Sequence, residues 1–111
     1  MAPGSADADT IAEIRRLAAD PALVTLSKTA EYDLLAHHLT KDDLCDEIIA
    51  WIDAKERVKP TTLHSFGTLV GQSAFEMKPR INGQLFYIKV ALLQLTEPEE
   101  SMLVISAHPD H

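Results

Sequence analysis

Three residues able to do chemistry stand near the C-terminal end of this 111-residue chain, in the stretch INGQLFYIKVALLQLTEPEESMLVISAHPDH: Tyr87, Lys89 and His108. A strand built only for a core would carry apolar residues at those places. Side chains alternate along a strand, so Tyr87 and Lys89 share a face with Leu85, Ala91 and Leu93, while Phe86, Ile88, Val90 and Leu92 form an unmixed apolar set on the other. The last apolar run divides the same way. Leu103, Ile105 and Ala107 make the apolar set, which leaves Met102, Val104, Ser106 and His108 for the open face. Adjacent strands would then bring a phenol, an ammonium and an imidazole onto one exposed, concave sheet. Lys59, His64, Lys78 and Arg80 lie in the segments that border it.

That set suits cleavage of an RNA phosphodiester by its own 2′-hydroxyl. The reaction needs a base for the hydroxyl, an acid for the leaving 5′-oxygen and cations for the charge that grows on the phosphoryl oxygens. It requires no metal and no cofactor. An imidazole ordinarily titrates near pH 6.5, so His108 qualifies as acid or base. Tyr87 is suited to orient the phosphate or assist proton transfer, and Lys59, Lys78, Arg80 and Lys89 to hold phosphates. A tail carrying His108, Asp110 and His111 is poorly preorganised for a metal, and none is expected.

The elements that must position these residues follow from periodicity and punctuation. Thr10 with Glu13 fits a capping box before the helical spacing of Ile11, Ile14, Leu17 and Ala18, which stops at Asp20-Pro21. ALVTL reads as a short strand or a linker. Ser27 caps a second helix running to about His38, with Ala30, Leu34 and Leu35 on its apolar side, and His37-His38 marks its end. Thr40, followed by Asp42 and Asp43, starts a third helix whose core stripe is Leu44, Cys45, Ile48, Ile49 and Ile52, with Asp42, Asp43, Asp46, Glu47 and Asp53 as its solvated face. Beyond Asp53 the period falls towards two. TTLHSF and SAFEM are short strands, and Asn82-Gly83 is the signal of a type I′ hairpin turn. Helices followed by a strand meander predict an α+β domain with its helices packed on one face of a small antiparallel sheet.

Composition narrows the setting. The chain is 46% hydrophobic, enough for one core, with residues 1–9 read as a disordered leader and 10–111 as a single domain. Cys45 is the lone cysteine, which excludes an intrachain disulfide and a Cys-based zinc site and suits a reducing cytoplasm. No apolar run approaches the roughly 20 residues that span a bilayer, and no signal peptide is seen, so a membrane partner is not expected. The net charge is −7, yet between Lys55 and Lys89 six basic residues face only Glu56 and Glu76, a local +4. An acidic frame around a basic middle leaves room for a nucleic-acid partner.

Taken together, KPRINGQLFYIKVAL and MLVISAH resemble the closing hairpin of the MqsR-type toxins of bacterial toxin-antitoxin pairs. The matching residues are Lys78-Pro79, Gly83, Tyr87-Ile88-Lys89-Val90 and Val104-Ile105-Ser106, with Ala107 where the family has Phe. The resemblance covers about half the chain, from Lys55 onward. It implies the RelE-like fold, a ribosome-independent messenger-RNA endonuclease activity on single-stranded RNA, a cognate antitoxin as protein partner, and no action on DNA alone. It also implies that Tyr87, the closing His108 and the loop Lys59 of RVKPTT are catalytic, that Lys89, Arg80, Lys78 and His64 bind RNA, and that Gln72 is the one nearby candidate for the family's active-site Gln. A non-catalytic binding module of the same fold, or a degenerate toxin, is the alternative, and convergence of Tyr87, Lys89 and His108 on one phosphate is what separates the two.

Overall fold

A computed structural model of the chain describes residues 4–63, 73–96 and 99–110. Helix α1 (Ala8–Ala18) begins two residues before the expected Thr10 cap, because Asp7 is the cap and accepts the Thr10 N–H at 2.8 Å. The stretch read as leader therefore contributes structure from Gly4 on. The Ala6 N–H donates to the Val58 carbonyl at 2.8 Å, and Ala6 is buried. A short 3₁₀ turn (Pro21–Leu23) leads into strand β1 (Val24–Leu26), the segment left open as strand or linker. Helices α2 (Lys28–Ala36) and α3 (Lys41–Asp53) follow, capped by Ser27 and Thr40 as read from sequence, and Thr40 with Asp43 closes a full capping box. Leu35, assigned to the apolar side of α2, is instead 66% exposed.

Both later helices end in Schellman motifs that place a non-glycine residue in the left-handed region. His38 has φ 58°, with the Leu39 N–H on the Leu34 carbonyl, and Lys55 has φ 62°, with the Glu56 N–H on the Trp51 carbonyl. The strand half comprises β2 (Lys59–Thr62), β3 (Ser73–Met77), β4 (Arg80–Ile81), β5 (Gln84–Thr96) and β6 (Glu99–Pro109). Asn82 (φ 54°) and Gly83 (φ 78°) make the β4–β5 turn, both with the positive φ that type I′ demands.

Among the described residues the sheet has six strands, in the order β1-β6-β5-β3-β2 with β4 paired to β5. The expectation of a purely antiparallel sheet is corrected at one edge, where β1 pairs parallel with β6. The short 3₁₀ turn and β1 feed the chain back beside the C-terminal strand, a pairing 78 residues distant in sequence that no local pattern announces. The three helices pack on one face, closing a core of Ile14, Leu17, Leu34, Leu44, Ile48 and Ile52 over Met77, Ile88, Val90, Met102, Val104 and Ala107.

The phase of β6 is the second correction. Lys89 pairs with Ser106, but the next pair is Val90 with Val104, so Ile105 is an extra residue bulged out of the ladder. Met102 and Val104 consequently face the helices rather than the open side, Leu103 and Ile105 take the far side, and Ser106 and His108 remain there with Tyr87 and Lys89. Ile105 joins Leu63, Ala74 and Ala91 in a small apolar cluster on that far face. The Ser27 hydroxyl secures the bulge by donating to the Ile105 carbonyl at 2.8 Å while accepting the Ala30 N–H.

Candidate functional site

Strand register assembles a polar patch on the far face. Lys59 of β2 lies opposite Glu76 of β3, Glu76 opposite Lys89 of β5, and Lys89 opposite Ser106 of β6, one continuous row across four strands. In the next row Tyr87 lies directly opposite His108. Directly opposed side chains start about 5 Å apart and diagonal ones about 7–8 Å, so Tyr87 and Lys89 on β5 each lie near both Glu76 and His108, whereas Glu76 on β3 and His108 on β6 stand on either side of β5, two strand spacings or about 10 Å apart.

Side-chain geometry ties the two rows together. The Tyr87 and His108 rings stack with centroids 5.4 Å apart and planes at 25°. The Tyr87 hydroxyl donates to Glu76 Oε2 at 2.5 Å, a charge-assisted bond. Burial first, and then that bond and the negative charge of Glu76, push the Tyr87 phenol well above its ordinary range, so it stays a neutral donor. The His108 ring bonds the Pro109 carbonyl through Nδ1 at 2.9 Å. A carbonyl only accepts, so Nδ1 carries the hydrogen and Nε2 is left as the proton-exchanging nitrogen. Among the described residues neither Lys59 nor Lys89 forms an ion pair with Glu76, which keeps both ammonium groups available to an anion.

The expected residues divide by position. Tyr87, Lys89, His108 and Lys59 come together on one face. Lys78 borders it and is held by Asp110 at 3.4 Å. Arg80 does not join the patch: it lines a hollow beside α3 with Glu47, Ala50, Trp51 and Leu85. His64 and Gln72 lie outside the described residues. Glu76, at the centre of the patch, escaped the sequence reading, where it counted only as one of two acidic residues in a basic middle. Its placement opposite Lys89 depends on a pairing that a five-residue strand does not reveal. Glu76 also opens onto a cleft of about 260 Å³ lined by Trp51, Arg57, Lys59 and Lys78.

Among the described residues no group of three or more His, Cys, Asp or Glu side chains is placed to hold a metal ion, and no helix is long and apolar enough to cross a membrane. Fold and site define an α+β domain that gathers Tyr, His, Glu and Lys side chains on the helix-free face of its sheet. Compared with protein-family models, curated proteins and solved structures, the chain has no match.

Proposed function

We propose that this protein is a metal-independent endoribonuclease that cleaves single-stranded RNA by attack of the 2′-hydroxyl, acting as the toxin of a toxin-antitoxin pair with a RelE-like fold. The observation that carries the reading is the Tyr87–His108 stack in register with Lys89 and Lys59 on one sheet face. His108 supplies proton transfer through Nε2, Tyr87 orients the reacting groups, and Lys59 and Lys89 offset the charge that grows on the phosphoryl oxygens. Lys78, at the border, adds a phosphate contact. The resemblance of the closing hairpin to MqsR-type toxins supports the messenger-RNA target, the cytoplasmic setting and the cognate antitoxin.

A binding module without catalysis is the competing reading, and Tyr32 and Leu35, 71% and 66% exposed on α2, favour it as apolar contacts for a protein partner. Incubating the purified protein with a long single-stranded RNA in EDTA separates the two. Cleavage by wild type, reduced about 10²–10⁴-fold in His108→Ala, is the expected outcome. Intact RNA after incubation with well-folded wild type would leave the binding module standing.

A further inference from the structure

The cleft beside the patch has no assigned role, and its lining is unusual in chemistry. One wall is the indole of Trp51, whose Nε1–H donates to the Arg57 carbonyl at 2.9 Å, so the ring is fixed in place. Around it stand three cations, Arg57, Lys59 and Lys78, and one carboxylate, Glu76. Aromatic rings with neighbouring cations are what single-stranded nucleotides stack and dock upon. Glu76 is shared between this cleft and the Tyr87–His108 stack: Oε2 takes the Tyr87 hydroxyl, and Oε1 has no partner among the described residues.

We propose that the cleft seats the nucleotide carrying the attacking 2′-hydroxyl, its base against Trp51, and that Glu76 is the general base of the cleavage. The proposal rests on the ribonuclease reading. Cleavage by internal attack needs a base at O2′ and an acid at O5′ on opposite sides of phosphorus. Tyr87 contacts Glu76 through its hydroxyl and His108 through its ring face, so the three side chains run in sequence from β3 through β5 to β6, and the proposal seats the reacting phosphate over Tyr87 with Glu76 on one side and His108 on the other. Glu76 takes the proton from the 2′-hydroxyl as O2′ bonds to phosphorus. The P–O5′ bond breaks, and His108 Nε2–H protonates the departing oxygen. The products are a 2′,3′-cyclic phosphate and a 5′-hydroxyl end, with Glu76 protonated and His108 neutral, and exchange with water restores both. Tyr87 is a positioning residue in this scheme. Around Glu76 stand Lys59 on β2, Lys78 after β3, Lys89 and Tyr87 on β5 and Arg57 before β2, with His108 behind Tyr87 and Asp110 on Lys78.

Trp51 is the only tryptophan of the chain, so its fluorescence reports occupancy of the cleft directly. Titration with adenosine 3′-monophosphate should change it saturably, inorganic phosphate should not, and Arg57→Ala should weaken the binding about tenfold or more. Glu76→Gln keeps an acceptor for Tyr87, so it should fold and still bind the nucleotide. Its cleavage should fall about 10²–10⁴-fold, and the acidic limb of its pH–rate profile should disappear. Tyr87→Phe should lower kcat while the fluorescence titration stays unchanged. RNA cleavage at the wild-type rate by Glu76→Gln would overturn the base assignment and leave the ribonuclease reading intact. An unresponsive Trp51 would overturn the subsite, and wild type that cleaves no RNA would overturn this scheme together with the reading beneath it.

Discussion

His108, Tyr87 and Glu76 form a chain of contacts across the far face of the sheet. The Pro109 carbonyl holds the hydrogen on His108 Nδ1, and burial, followed by the bond to Glu76, keeps the Tyr87 phenol protonated. A phenol titrating higher in the folded chain than in the unfolded one stabilises the fold fully below the ordinary pKa of about 10, and that contribution is lost as the pH rises beyond it. Cys45, buried in the α3 stripe, acts in the same direction, its thiol pushed up to about 11 by desolvation. Denaturant titrations from pH 9 to 11 should therefore show stability falling in wild type and falling less steeply in Cys45→Ala. At pH 8 Cys45 should react with a disulfide reagent only after denaturation, and fast labelling of the native protein would contradict its burial. Tyr87, Lys89 and His108 were legible from sequence because a polar residue in an apolar alternation stands out. Glu76 was not, since a single carboxylate in a short strand has no pattern to break.

Placement of those residues is the work of a bulge and a cap. Without the extra residue Ile105, Met102 and Val104 could not face the helices while Ser106 and His108 face away, and strict alternation read from the sequence misassigned Met102 and Val104 for that reason. Nothing in SMLVISAH marks the bulge, which is stabilised by a serine 78 positions earlier in the chain. Ser27→Ala removes both a helix cap and the bond to the bulge, and chemical denaturation should register a loss of about 1–2 kcal/mol. His108 proton transfer should weaken with it if the bulge relaxes. The Schellman ends invite the opposite change: glycine at His38 or Lys55 relieves a left-handed conformation, and either substitution should leave stability equal or raise it by up to about 1 kcal/mol. A melting temperature lowered by Lys55→Gly would contradict the assigned helix end.

Across the whole molecule, helices and sheet divide the labour by charge. The exposed acidic residues of α3 and the six basic residues between Lys55 and Lys89 put opposite signs on different parts of one domain, so a net charge of −7 coexists with a cationic patch. Cleavage should accordingly slow as salt rises, because each ammonium that contacts phosphate releases a counterion, and Lys59→Ala should flatten that dependence. The α+β class was readable from the change of period after Asp53. The parallel β1–β6 edge was not, because long-range pairing of a three-residue strand leaves no local trace, and residues 4–9 were misread because small and acidic residues suit a cap as well as they suit a leader. The central claim is that the far face of the sheet cleaves RNA through the 2′-hydroxyl. Phosphorus NMR of a single-stranded RNA oligonucleotide incubated with the protein in EDTA tests it most directly. The account predicts growth of a 2′,3′-cyclic phosphate resonance with wild type and none with His108→Ala, whereas an unchanged spectrum, or 5′-phosphate ends in place of the cyclic product, would contradict it.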